Sequence, residues 1–252
     1  MGQEVGRQYT AVRTDLEALL IEEYRVPAEA ASVSVALDRV SVPMEEAVGA
    51  QDRAEPPRGR KRKVWRQFRM AYCATLTLHD RKGDALQTLR YGRMPHGDVA
   101  ELCETLAQDV RTLLRKQPVL AVILLADGAP ELWNLLTGSL NADTLGVPVR
   151  QVVDLWHLLE KLGSAARLIH GEGPGSAVLQ GWRLRLLNRT RSVPEILQEL
   201  YQSGKREVFV GTSRPVHEAI TYLENHQARM NYAAARRHGL PVGSGNVEAT
   251  CK

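Results

Sequence analysis

The chain has 252 residues, with 33 Lys and Arg against 29 Asp and Glu, a net charge of +4, 44% hydrophobic and 25% charged residues. Those proportions exclude a disordered or fibrous chain and fit a globular protein with one large core, and the slight basic excess is a weak pull toward a polyanion. Cys73, Cys103 and Cys251 are spaced for neither a disulfide framework nor a zinc site; with no signal peptide and no apolar run of about 18 residues, a cytoplasmic protein without a membrane partner is expected.

Tyr9 to Tyr24 places Val12, Leu16, Leu19, Leu20 and Tyr24 at helical spacing, which predicts an amphipathic leading helix that ends before Pro27. Ser32 to Pro43 alternates: Val33, Val35 and Leu37 fall on one face of a strand and Ser34, Ala36 and Asp38 on the other. Glu45 to Lys63 is a polar connector with Pro56-Pro57 and the basic tract Arg58-Gly59-Arg60-Lys61-Arg62-Lys63. Such a run is usually a solvated loop, but at a hairpin tip beside an acidic site Arg60, Lys61, Arg62 and Lys63 can hold a nucleic-acid backbone. Val64 to Leu78 is a second strand, with Phe68, Met70, Tyr72, Ala74, Leu76 and Leu78 on one face. Asp80 to Gly83 turns it into a third, Ala85 to Arg93, and Gly97 to Lys116 is an amphipathic helix.

Val119 to Leu125 is an unbroken apolar run, read as a central strand buried on both faces. Asp127 follows it directly, and Pro130 suits the first turn of the next helix. Asp127 therefore stands at the carboxyl end of a core strand, where open α/β sheets place ligands; capping that helix is the plainer alternative. Val147 to Val153 is a fifth strand that runs into Asp154-Leu155-Trp156-His157, with His157 one helical turn beyond Asp154. The order β-β-β-α-β-α-β-α, with right-handed crossovers, predicts an α/β fold of RNase H-like type around a mixed five-stranded sheet.

Ser164 to Gly239 reads as a helical insertion with helices over Ser176 to Asn188, Pro194 to Tyr201 and Pro215 to His238, while Val208 to Val210 is left undecided between strand and loop. Its arginines, Arg229 and Arg236 among them, suit phosphate contacts, and Trp182 is a candidate to stack on a base, although solvated helix faces and a core tryptophan explain the same residues. A glycine loop, Gly239 to Gly245, then leads to a short helix carrying Glu248, with Ser244 or Asn246 as its cap. The expected organisation is an N-terminal helix (1–28), an RNase H-like core (29–163), the insertion (164–238) and the loop with the start of the Glu248 helix (239–252).

Asp38 and Asp127 lie on strands that neighbour one another in this topology. Two bare carboxylates side by side repel, so one is protonated unless a cation intervenes. Oxygen-only ligands at an open site suit Mg²⁺ or Mn²⁺, and a third acid, Glu248, would complete a two-metal centre acting on a phosphodiester. From Asp38 to Asp127 is 127 − 38 = 89 residues and from Asp127 to Glu248 is 248 − 127 = 121, the second interval being long enough to hold the insertion.

These residues resemble the DDE transposases of bacterial insertion sequences, in the lineage whose core carries a C/D-x-x-H signature and a helical insertion before the catalytic Glu. The likeness rests on VALDRVSVPM around Asp38, ILLADGAPELW around Asp127, Asp154-x-x-His157, and YLENHQARMNYAAARRHGLPVGSGNVEATCK from Tyr222 to Lys252, and it covers roughly residues 30 to 252. It implies that Asp38, Asp127 and Glu248 hold two Mg²⁺ or Mn²⁺ ions, with Asp154 and His157 as auxiliary catalytic residues. It further implies DNA cleavage and strand transfer at transposon ends, with double-stranded DNA (terminal inverted repeats and target) as partner and a homodimer or larger assembly when active. Family members usually have an N-terminal DNA-binding region and continue well past the catalytic Glu, whereas this chain stops four residues after Glu248 (252 − 248 = 4). A truncated, inactive core is therefore one expectation; a non-catalytic DNA-binding remnant and a structure-selective nuclease of the same fold are the others.

Overall fold

The computed structural model describes residues 2–47, 64–93 and 99–251. Strand β1 (Ser32–Ala47) pairs antiparallel with β2 (Val64–His79), which pairs antiparallel with β3 (Ala85–Arg93). On its other side β1 pairs parallel with β4 (Ala121–Ala126), and β4 pairs parallel with β5 (Val149–Val153). The sheet order β3-β2-β1-β4-β5 is the mixed RNase H-like arrangement expected from the sequence.

The alternation in β1 sorts the two faces. Val33, Val35 and Leu37 sit beside Leu78, Leu76 and Ala74 of β2, all buried, and helix α2 (Val99–Lys116) packs its Leu102, Leu106, Val110 and Leu113 into the same core. The opposite face carries Ser34, Ala36 and Asp38 beside Thr77, Thr75 and Cys73. Two of its buried hydroxyls find partners: Ser34 Oγ lies 2.8 Å from His79 Nε2, and Thr77 Oγ1 lies 3.1 Å from Thr88 Oγ1. Burial holds the His79 pKa below its ordinary value, so the ring stays neutral.

The remaining helices are α1 (Gly2–Glu23), α3 (Pro130–Ser139), α4 (Ala142–Leu145), α5 (Leu155–His170), α6 (Glu172–Asn188), α7 (Ser192–Gln202), α8 (Pro215–His226), α9 (Tyr232–Arg237) and α10 (Gly245–Cys251). Helices α6 to α9 form the segment read as an insertion, but α5 runs unbroken through residue 164, where that segment was expected to begin. The stretch from Pro215 to His238 is α8, a 3-10 turn (Gln227–Arg229) and α9, whose start Asn231 caps through its side chain. Around Val208 to Val210 there is only an isolated bridge, Val210 to Ser213. No helix among the described residues is long and apolar enough to cross a membrane.

Three sequence expectations are corrected. First, β1 and β2 outrun their neighbours: β4 pairs only Ser32 to Ala36, and β3 reaches β2 only from Tyr72 onward. The far ends form a two-stranded arm on which Met70 is exposed and Phe68 is 74% exposed, although both keep the phase of Leu76 and Leu78. The basic tract with Arg60, Lys61, Arg62 and Lys63 lies outside the described residues. Second, Val119 is 79% exposed because β4 starts two residues later, at Ala121, after a turn closed by Leu120 N–H to Gln117 O. Third, α1 presents its apolar stripe outward, with Val12, Leu16, Leu19 and Leu20 exposed. It docks through Ile21, which is buried in the core, and by charge: Arg13 pairs with Glu101, Glu17 takes a bidentate pair from Arg93 (2.8 and 2.9 Å), and Lys116 Nζ donates to the carbonyls of Ile21, Glu22 and Tyr24 at its C-terminus.

Candidate metal centre at the strand ends

Register decides which acids meet. Ser32 pairs with Ala121 and Ala36 with Leu125, a constant offset of 89 residues (121 − 32 = 89; 125 − 36 = 89). Continued two residues, the same ladder sets Asp38 beside Asp127, on one face of two parallel strands spaced about 4.8 Å apart. Val122 pairs with Val149 and Ala126 with Val153, an offset of 27 (149 − 122 = 27; 153 − 126 = 27). One more step sets Asp127 beside Asp154, and Asp154 N–H does donate to Ala126 O at 2.9 Å. Continued past the last paired residues, the two offsets make positions 38, 127 and 154 level with one another, Asp127 and Asp154 directly after β4 and β5 and Asp38 within β1, just beyond its pairing with β4.

Their surroundings differ. Asp38 and Asp127 are partly open to solvent. Asp38 Oδ1 accepts the Arg39 N–H at 2.7 Å, and Asp127 Oδ1 accepts the Ala129 N–H at 2.8 Å, a side-chain turn that starts α3. Among the described residues the second oxygen of each carries no hydrogen bond, which leaves it for another ligand. The backbone at Asp127 is held from behind by Trp133, whose Nε1 donates to Asp127 O at 2.7 Å.

Asp154 is 0% exposed. Its Oδ1 accepts the N–H groups of Trp156 (2.7 Å) and His157 (3.0 Å), capping α5. Its Oδ2 accepts the Ser244 N–H and the Ser244 hydroxyl, the latter at 2.7 Å. Burial pushes its pKa up, but the donors on His157 and Ser244 outweigh burial and hold it below the usual carboxylate value. With both oxygens engaged and no water access, it is not placed as a metal ligand. His157 Nδ1 lies 3.4 Å from Asp154 Oδ1, and its side chain is partly open.

The helix carrying position 248, α10, starts at Gly245, beside Asp154, and packs across β1, β2 and β3 with Val247 buried. Position 248 is the fourth residue of this helix. The Glu248 side chain is not among the described residues. Among those that are, no group of three His, Cys, Asp or Glu side chains is placed to hold a metal ion. Two carboxylates level in register, each with an oxygen free of hydrogen bonds among the described residues, are the kind of hard-oxygen donors that fit Mg²⁺ or Mn²⁺.

Beside Asp127 a cavity of about 610 Å³ is lined by Gly128, Trp133, Lys161, Tyr222, His226 and Arg229 among others. Gly128 is required there: a Cβ on it would lie 2.4 Å from the Tyr222 ring and 2.8 Å from His226 Nε2. This wall escaped the sequence reading because Tyr222 and His226 arrive from α8, far along the chain.

The arginines proposed for DNA contact are largely committed to the protein. The Arg229 guanidinium lies 4.4 Å over the Trp133 ring, its Nε donates to Gln151 Oε1 at 2.9 Å, and burial lowers its pKa. Arg236 reaches back to Leu187 O and Asn188 Oδ1 at 3.4 and 3.3 Å, joining α9 to α6. Trp182 is 1% exposed, with its Nε1 donating to Glu199 Oε2 at 2.7 Å, so it is a core residue and not a stacking platform. Arg183, one of the insertion arginines read as suited to phosphate, lines a groove of about 440 Å³ with Arg236, Pro241 to Gly243, and Lys82 and Trp156, which the sequence reading did not single out for DNA contact.

No protein-family model and no curated protein sequence matches the chain. Among solved structures, the Drosophila P element transposase strand transfer complex is similar at a TM-score of 0.43 and 12% identity, over 94% of this chain and 74% of that one. The Mos1 transposase paired-end complex with left transposon end gives 0.27 and 14%, over 89% of this chain and 61% of that one, so this chain spans under two thirds of it. NurA bound to dAMP and manganese gives 0.20 and 12%, over 94% and 64%. All three scores are below 0.5, and the fold rests on strand order and register instead.

Proposed function

We propose that the chain is the catalytic core of a DDE-type transposase that cleaves DNA at transposon ends and transfers the freed 3′-hydroxyl to target DNA. The observation that carries this reading is the level register of Asp38 and Asp127, each partly open and each with an oxygen free of hydrogen bonds among the described residues, on a sheet against which α10, the helix of position 248, packs. Asp38, Asp127 and Glu248 would hold Mg²⁺ or Mn²⁺. When bound, such ions activate the attacking oxygen and neutralise charge on the departing oxygen of a phosphodiester.

The chain's own part is positioning. Trp133 and the Ala129 N–H fix Asp127 in orientation. His157, with Nδ1 turned to Asp154, offers its other ring nitrogen to a DNA phosphate. Lys82 and Arg183, beside the exposed Trp156, supply cationic contacts along the groove next to the start of α10.

The test is nicking and joining of plasmid DNA carrying the sequences that flank this coding region, in the presence of Mg²⁺. The parent is expected to produce nicked and joined products. An Asp127→Ala variant that nicks as well as the parent overturns the site assignment. Cleavage without joining identifies a structure-selective nuclease of the same fold.

A further inference from the structure

We propose that Asp154 is a positioning residue that, by latching Ser244, fixes where α10 carries position 248 relative to Asp38 and Asp127; this rests on the metal-centre reading above. Asp154 and Ser244 are 90 residues apart in the chain and both buried, and the Asp154 carboxylate takes both the Ser244 N–H and its hydroxyl. A third bond joins the same two segments, Leu155 N–H to Val242 O at 3.0 Å.

The latch matters because the residues just before α10 (Gly245–Cys251) set where the helix enters the fold. The segment leading to it is pinned at two points. Upstream, Gly239 adopts φ +64° and presses on the β2–β3 turn so closely that a Cβ would lie 1.9 Å from Arg81 O. Downstream, Ser244 is fixed by Asp154, and its own carbonyl accepts the Val247 N–H at 2.8 Å inside the first turn of α10. The carboxylate is saturated by four donors, two on Oδ1 and two on Oδ2, about as many as its lone pairs accommodate. Its remaining means of influencing a metal centre is therefore through the segment it holds.

The test uses the full chain and Mn²⁺ alone, with free Mn²⁺ read by electron paramagnetic resonance and folding read by thermal denaturation. Ser244→Ala removes one of the two latch bonds and is mild enough to fold. Its Mn²⁺ affinity is expected to fall about tenfold, the order expected for losing one hydrogen bond to a charged group. Ser244→Thr keeps the hydroxyl and is expected to stay within about twofold of the parent. Amide hydrogen exchange in 245–251 should rise in Ser244→Ala while exchange in β4 does not change. Parent affinity and parent exchange in Ser244→Ala overturn the latch. A parent chain that binds no Mn²⁺ overturns the metal-centre reading instead, and the two failures are told apart by which protein shows them.

Discussion

Asp127 and Asp154 stand one strand apart at the same end of the sheet, each at the close of a parallel strand and each just ahead of a helix. Asp127 is partly open and, among the described residues, accepts a single side-chain hydrogen bond. Asp154 is sealed and accepts four. The carboxyl edge of a parallel sheet is where ligands are expected, yet position along that edge does not separate a ligand from a structural acid. The number of donors already spent on the carboxylate does, because an oxygen facing two N–H or O–H groups has no lone pair left for a cation.

The sharpest way to break this comparison is to remove each carboxylate in turn. Asp127→Ala is expected to lower Mg²⁺-dependent nicking by about 10³-fold or more, a barrier increase of about 4 kcal/mol. Its cost in stability should be only about 1 kcal/mol, the price of one helix-start bond. Asp154→Ala should do the reverse in stability: four buried or half-buried donors lose their acceptor, which costs about 3 kcal/mol or more in a urea titration. If Asp154→Ala unfolds at the same urea concentration as the parent, the distinction between the two acids is lost.

Much of this architecture was legible before any coordinates. The alternation around Asp38, the apolar run before Asp127 and the two crossovers were enough to order the strands, and the interval of 89 residues between the two acids turned out to equal the β1–β4 register offset. Asp154 as the N-cap of the helix that follows was one of the readings open from sequence, and it holds; its Ser244 partner was not legible, since that hydrogen bond spans 90 residues and leaves no local pattern. Of the two readings of Trp182, the core one holds, while its partner Glu199, from the next helix, was not legible. Phe68 and Met70 misled for a related reason: alternation says which residues share a face and is silent on where the covering layer stops.

A third buried carboxylate sharpens the comparison through pH. Asp109 on α2 is buried like Asp154 but is met by one side-chain hydroxyl, Tyr91, at 2.7 Å. Burial dominates, and its pKa is pushed up from 3.8 to about 6. A carboxyl raised in the fold contributes stability that is complete below its unfolded value and lost as pH rises through its folded value. Stability should therefore decline by on the order of 2 kcal/mol between about pH 4 and pH 6, and Asp109→Asn should flatten that slope in denaturation curves. Asp154, held below its ordinary value by its donors, works in the opposite sense: its contribution is present at neutral pH and lost as pH falls below the usual Asp range.

The smallest expected effect comes from α1, where the same rule of counting actual partners applies to apolar side chains. Its stripe reads as a core face by periodicity, yet Leu20 is 66% exposed and Leu16 and Leu19 are exposed beside it, while Ile21 and charged residues on the helix make the contacts. Leu20→Glu removes little buried area and breaks none of those pairs, so the unfolding free energy from a urea titration should change by no more than about 0.5 kcal/mol. Leu106→Ala, in the fully buried face of α2, should cost about 2–5 kcal/mol by leaving a cavity in the same experiment. A large loss from Leu20→Glu would mean that this stripe is covered by something in solution, and analytical ultracentrifugation of the parent against the variant would then show whether the cover is a second copy of the chain.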